Sequence, residues 1–270
     1  MATLVSFHAH PDDESISTGG TMARAADDGH RVILVVATRG EQGEPQPGVL
    51  RDGEPLWERR VVETRQSGEI LGAERVEFLG YEDSGMMGEP TNDNPNCFWQ
   101  ADIEEAAEKL ANILREVDAD VLTVYDDHGG YGHPDHIQVH RVGRRAAELA
   151  GTERVFEATM NRDHIRELMA QRPPEITEIM DENDRRDVAE NDSFGSPEEL
   201  ITPAVDVRAV IDRKRASMVA HASQIGPETF FLKLPDEAFR QAFGTEWYIE
   251  AGSRRESDAP FATDLLDGVV

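Results

Sequence analysis

Apolar positions along the first 160 residues switch between two periods, and the switching predicts alternating strands and helices. Residues 3–9 and 31–38 are near-continuous apolar runs, the second rich in β-branched side chains. Runs of that kind mark strands covered on both faces, as in a parallel sheet. Between them, residues 17–26 read as a capped helix of small side chains that ends at Asp28-Gly29, where Gly19 and Gly20 allow close packing. Strand, helix and strand in that order imply a right-handed crossover. Residues 56–71 predict a helix stopped by Gly72, and residues 75–80 a third strand. Residues 102–117 carry Ile103, Ala106, Ala107, Leu110, Ile113 and Leu114 at helical spacing. A fourth strand follows at 120–125, then a helix at 134–150 with Pro134 in its first turn, then a fifth strand at 155–160.

The expected class is therefore α/β: a Rossmann-like, mostly parallel sheet flanked by helices, with a smaller C-terminal extension. Past residue 160 the pattern weakens. Residues 173–199 are acidic and punctuated by proline, and read as a flexible excursion. Residues 201–207 resemble a strand, 208–223 an amphipathic helix and 246–250 a short strand, while the chain from about Ser253 lacks periodicity. The division that follows is a metal-site catalytic core at 1–160, an extension at 161–252 completing the substrate pocket, and a loose tail at 253–270. Two loops, 39–55 and 81–100, are too long to be plain connectors.

Composition narrows the partners. The 270 residues hold 54 acidic against 27 basic side chains, a formal charge of −27. That argues against a nucleic-acid groove or an anionic membrane surface as partner. No run approaches the roughly 18 apolar residues of a membrane span, and no basic stretch leads into an apolar one at the start, so a soluble cytoplasmic protein is expected. Cys97 is the single cysteine, so any metal site must use histidine and carboxylate. With no histidine beside it in sequence, Cys97 reads as a packed thiol and not a nucleophile.

The chemistry gathers in two stretches. Phe7-His8-Ala9-His10-Pro11-Asp12-Asp13-Glu14-Ser15-Ile16 follows strand one, and Gly129-Gly130-Tyr131-Gly132-His133-Pro134-Asp135-His136 follows strand four. Ligands of open α/β sheets sit beyond the carboxyl ends of the strands, so both stretches lie on one rim. If those strands are neighbours, His10, Asp12, Asp13, His133 and His136 converge. Two histidines and a carboxylate with an open position form a catalytic zinc set. His133, His136 and His140 share one helical face, and spacing alone does not say which of them binds. His140 reads as a supporting histidine, His8 as a support behind His10, and His128 as a solvated loop residue.

The stretches His8-Ala9-His10-Pro11-Asp12-Asp13-Glu14 and Gly130-Tyr131-Gly132-His133-Pro134-Asp135-His136 resemble the two signature motifs of the LmbE-like (PIG-L) zinc-dependent N-deacetylases, a resemblance covering residues 1–150. Gly40-Glu41-Gln42-Gly43-Glu44, Arg60 with Glu63, Asp83-Ser84-Gly85-Met86 and, more faintly, Ala220-His221-Ala222-Ser223-Gln224 are similar to the mycothiol branch of that family, which contains an N-acetylglucosaminyl-inositol deacetylase and a mycothiol S-conjugate amidase. The resemblance implies one zinc on His10, Asp13 and His136, with Asp12 as general base and acid. It implies His133 as the oxyanion donor, oriented by Asp135, with Tyr131 adding a hydrogen bond. It also implies Arg60, Glu44 and Asp83 as contacts to the sugar or inositol, beside an apolar wall at Met86 and Met87. Where the amidase branch carries a lysine, this chain has Ser15-Ile16-Ser17-Thr18, which favours the deacetylase. The substrate implied is a small amino sugar or thiol conjugate. A non-catalytic metal or sugar-binding module is the contrasting class, and it predicts loss of the base while the ligands stay; Asp12 is present. A metallophosphoesterase would call for more carboxylate ligands, and the chain has no Gly-rich phosphate cradle.

Overall fold

A computed structural model describes residues 1–171, 179, 192, 194–256 and 258–269. Its centre is one seven-stranded sheet in the order β3-β2-β1-β4-β5-β7-β6. The strands are β1 (Thr3–His8), β2 (Arg31–Thr38), β3 (Arg75–Tyr81), β4 (Val121–Tyr125), β5 (Arg154–Thr159), β6 (Ala204–Asp206) and β7 (Thr245–Glu250). The first five run parallel, while β7 pairs antiparallel with β5 and with β6. The C-terminal segment thus extends the same sheet. Because β1 pairs β2 on one side and β4 on the other, the chain reverses its direction of travel across the sheet there. Such a switch point opens a crevice at the strands' carboxyl ends.

Helices cover both faces. On one side α4 (Ile103–Glu116) and α6 (Pro134–Ala150) enclose Phe7, Val35, Leu110, Val124 and Val142. On the other, α2 (Gly19–Asp27) and α3 (Leu56–Leu71) pack with the C-terminal helix α8 (Ile211–Ala220), over a second layer that includes Leu4, Met22, Leu34, Leu71 and Val207. Gly20 is required there, since a Cβ would lie 2.4 Å from Val207. Helix α3 stops at Gly72, whose φ of 85° suits the left-handed cap a glycine provides. Helices α7 (Arg162–Gln171), α9 (Phe230–Lys233) and α10 (Asp236–Phe243) complete the periphery. Among the described residues no helix is long and apolar enough to cross a membrane.

Four details depart from the periodicity. The acid cluster is itself helical: α1 (Asp13–Ser17) precedes α2 and breaks at Thr18, whose hydroxyl is drawn to Ser6 Oγ (2.9 Å) and His8 Nε2 (2.8 Å). The strand expected at 201–207 is only three residues long. The helix expected at 208–223 starts as a 3-10 turn (Arg208–Val210) and ends at His221, which turns inward. The expectation of a loose tail from Ser253 is corrected: Ala262 bridges Pro203, and Leu265 and Leu266 are buried against the sheet. Arg24 and Arg154 tie down the carbonyls of Thr263 and Asp267 at 2.9 and 2.6 Å. Two apolar residues in a row are too few to register as a period. Of the excursion expected at 173–199, residues 173–178, 180–191 and 193 lie outside the described residues; Ser196 bridges Asn161, and Glu198–Leu200 forms a 3-10 turn.

Candidate active site

The loop after β1 and the turn after β4 meet at the switch point. Asp13 stands between two imidazoles: its Oδ2 lies 3.4 Å from His10 Nδ1 and 3.4 Å from His136 Nε2. The same oxygen accepts the backbone N–H of His10 at 2.8 Å, which fixes the loop. His10 Nε2 faces Asp135 Oδ2 at 3.1 Å and Asp83 Oδ1 at 3.5 Å. A carboxylate on one ring nitrogen aims the other at a cation. His136 stacks on Tyr125, ring centroids 4.3 Å apart and nearly parallel, and Tyr125 Oη is 2.8 Å from His8 Nδ1. His8 therefore supports the site through Tyr125, a residue the motifs did not single out.

The turn that presents His133 and His136 depends on glycine. Gly129, Gly130 and Gly132 in α5 (Gly129–Gly132) all have φ between 70° and 90°, and a Cβ on Gly129 would sit 2.7 Å from His136 Cβ. His133 caps α6 by accepting the Asp135 backbone N–H on Nδ1 at 3.1 Å, leaving Nε2 as the nitrogen able to donate. Asp135 touches His133 through its backbone N–H and not through its carboxylate. The carboxylate serves His10 and accepts from Ser84 N–H (2.9 Å) and Ser84 Oγ.

The charge balance is lopsided. Asp13, Asp83 and Asp135 are buried and Asp12 is half-buried, and Arg60 is the cation beside them, with Nη2 3.4 Å from Asp12 Oδ1. Burial raises the pKa of Asp12 to about 6, with Arg60 opposing and Asp13 adding to the rise. Burial would lift Asp13 too, but His136 and His10 hold it well below the usual carboxylate range. Burial alone would lower His10, yet Asp83, Asp13 and Asp135 raise it well above 6.5. For His133, burial together with His10 and His136 lowers the pKa to about 3, keeping the ring neutral. Imidazole and carboxylate donors, buried together with an excess of negative charge, fit a divalent metal. The geometry offers two neighbouring donor groups, His10-His133-His136 and His10-Asp83-His133-Asp135, beside the Asp13-bridged pair.

A cavity of about 230 Å³ opens over these groups, lined by His10, Asp12, Asp13, Arg60, Asp83, Met86, Tyr131 and His133, together with Gln42, Gly43, Gly85 and Glu89. Arg60 is buried, donating to Gly40 O (2.8 Å) and Pro11 O (2.6 Å). Asp83 has both oxygens engaged by the backbone of Gln42 and Gly85. Met86 and Tyr131 are each 46% exposed at the mouth. Glu44 is exposed and not among the lining residues, whereas Glu89 is. His140 lies apart, on Tyr125 O at 3.0 Å, and His128 on Asp127. Cys97 is a packed thiol. Motif reading missed Ser67 and Tyr125 and left Glu14 and His221 without roles; the only sequence signal was the faint likeness at 220–224.

An open α/β sheet whose switch point gathers imidazoles, carboxylates and a half-buried aspartate is a frame for metal-assisted hydrolysis. The family described as PIG-L: GlcNAc-PI de-N-acetylase matches residues 5–147, and the chain belongs to it, an enzyme hydrolysing amide bonds. A protein of Acidothermus cellulolyticus named 1D-myo-inositol 2-acetamido-2-deoxy-alpha-D-glucopyranoside deacetylase is 41% identical, covering 98% of this chain and 97% of its own. The protein of the same name from Thermomonospora curvata is 43% identical over 91% of this chain and 89% of its own. A solved 4-carboxy-2-hydroxymuconate hydratase from Pseudomonas putida shares the fold, with a TM-score of 0.62 at 19% identity over 96% of this chain and all of its own. Since this fold also carries a hydratase, the chemistry must be argued from the site.

Proposed function

We propose that the chain is a zinc-dependent deacetylase that removes the acetyl group from the glucosamine nitrogen of an N-acetylglucosaminyl-inositol. The observation that carries this is Asp13 Oδ2 midway between His10 and His136, with Asp12 beside it on the cavity wall. The substrate is supported by the names of the two relatives at 41% and 43% identity. In this reading His10, Asp13 and His136 hold the metal. Bound zinc would polarise the amide carbonyl and bring the pKa of its water from 15.7 towards about 7.

The chain's own groups supply the rest. Asp12, with a pKa near 6, is matched to accepting a proton near neutrality and returning it to the departing amine. His133, neutral and with Nε2 free to donate, faces the charge that develops on the carbonyl oxygen. Tyr131 at the mouth adds a second donor. Arg60, Asp83 and Met86 line the side from which the sugar and inositol approach. From the C-terminal extension Gln224 lies against the cavity-lining Gly43, where a Cβ would meet its Oε1 at 2.5 Å.

The test is a panel of N-acylated amino sugars, including the inositol glucosaminide and a mycothiol S-conjugate, scored for free amine. Release from the inositol glucosaminide above all others is expected. Release confined to the thiol conjugate would assign the chain to the amidase chemistry instead, and release from none would end the substrate assignment.

A further inference from the structure

One peptide group beside the proposed base is held at both of its polar ends. The Pro11 carbonyl accepts from Arg60 Nη2 at 2.6 Å, and the N–H of the same peptide, that of Asp12, donates to Glu14 Oε2 at 3.1 Å. Asp12 itself has φ 90° and ψ −28°, a left-handed conformation that residues other than glycine rarely adopt. Such backbone persists only where its surroundings impose it. The plane of that peptide sets φ at Asp12, and φ sets where the Asp12 carboxylate points.

The hold on the N–H side is itself held. Glu14 Oε1 lies 2.5 Å from His221 Nε2 and 2.5 Å from Ser67 Oγ, with all three side chains buried. His221 arrives from the C-terminal end of α8, over two hundred residues after Glu14. Its Nδ1 is buried with no hydrogen-bond partner among the described residues, which weakens a fold. An imidazole kept at that cost, with its other nitrogen on Glu14, is placed for something besides stability.

We propose that His221, acting through Glu14, is a positioning residue for Asp12. The imidazole fixes the Glu14 carboxylate, the carboxylate holds the Asp12 N–H, and Asp12 keeps its carboxylate turned to the cavity. The inference deepens the proposed reaction and rests on Asp12 being its proton acceptor. It gives the C-terminal segment a part in the chemistry, although among the described residues none from there lines the cavity.

The test compares zinc-loaded wild type with His221→Ala, His221→Asn, His221→Gln and Met218→Ala, by kcat and KM on N-acetylglucosaminyl-inositol, by zinc content and by crystal structure. His221→Ala should lower kcat about 10- to 100-fold with KM and bound zinc unchanged, and Asp12 should leave its left-handed backbone. His221→Asn, too short to reach Glu14, should behave alike and serves if the alanine variant does not fold. His221→Gln should recover most of kcat. Met218→Ala, a buried change on the same helix, should lower the melting temperature and keep kcat. Full kcat in both short variants, loss of their zinc, or Asp12 staying at φ near 90° without His221 would each overturn the proposal. If wild type releases no amine from this substrate while the Asp12 backbone still moves in the variants, the substrate reading fails and the positioning role stands.

Discussion

Two buried clusters of charge can be set side by side in this molecule. Lys214 and Glu246 form an ion pair 2.5 Å long with both side chains almost wholly buried. Glu246 also accepts the backbone N–H groups of Gly20 and Thr21, each at 2.8 Å, and Tyr248 Oη at 3.1 Å. Its carboxylate thus sits at the start of α2, where free N–H groups and the helix dipole favour a negative charge. One cation meets one anion, and the surrounding donors complete the set. At the switch point, by contrast, Asp12, Asp13, Asp83 and Asp135 gather around Arg60 and His10. The first cluster is closed; the second is short of positive charge in a cavity open to solvent. A buried charge must be compensated, so the open cluster is where an external cation belongs.

The strongest way to break this contrast is at the open cluster. Asp12→Ala should lower amide hydrolysis by about 100- to 10,000-fold, the usual worth of a positioned acid–base group, while the bound zinc stays. His136→Ala should lose the zinc as well. Metal analysis alongside an amine-release assay separates the two, and undiminished turnover in Asp12→Ala would remove the base assignment. A His136→Ala protein with full zinc would shift the ligand role to His133.

Much of this was legible in the chain because the relevant signals are local. The run at 31–38, the stop at Gly72 and the start at Pro134 mark β2, α3 and α6 at the residues where they occur. The His-Pro-Asp stretches fall on the same rim because strand polarity puts them there. What was not legible depends on contacts between residues far apart. Nothing near Glu14 announces His221 or Ser67, because those contacts are made only when α3 and α8 pack together. Lys214 reads as one more charge on an amphipathic helix until β7 places Glu246 beneath it. The family resemblance implied Asp135 as the partner of His133; the helix turn instead carries its carboxylate to His10.

The closed cluster should fail in stability and not in chemistry. Lys214→Met leaves Glu246 buried without its cation, a change that typically costs about 3–5 kcal/mol. Adding Glu246→Gln removes the stranded charge and keeps one acceptor oxygen for the Gly20 or Thr21 N–H, while its NH2 group faces the other donor, so it should regain part of that loss. Urea unfolding of the two variants beside wild type measures both, with zinc content expected to stay unchanged. A single variant within about 1 kcal/mol of wild type would mean that the pair is dispensable and the contrast is wrong.

The smallest effect separates the clusters by pH. In the metal-free protein His10 has a folded pKa well above its ordinary 6.5, because three carboxylates outweigh burial. A raised histidine contributes stability fully below the unfolded value and loses it as pH climbs from 6.5 to the folded pKa. The loss in that window is about 1.4 kcal/mol per pH unit. His8 and His133 have the opposite sign: burial lowers them to about 4 and about 3, so the unfolded chain takes up their protons first and stability falls as pH drops below 6.5. Chelated protein should therefore decline on the alkaline side of pH 6.5, a decline shared by His10 and by His221, which Glu14 also raises against its burial. Zinc needs the deprotonated imidazole and replaces its proton as counter-charge, so the loaded protein should lose the His10 part of that decline and keep the part of His221. Urea unfolding at several pH values, with chelator and with zinc, reads the difference directly. Equal alkaline slopes with and without zinc would show that the open cluster is balanced without a metal.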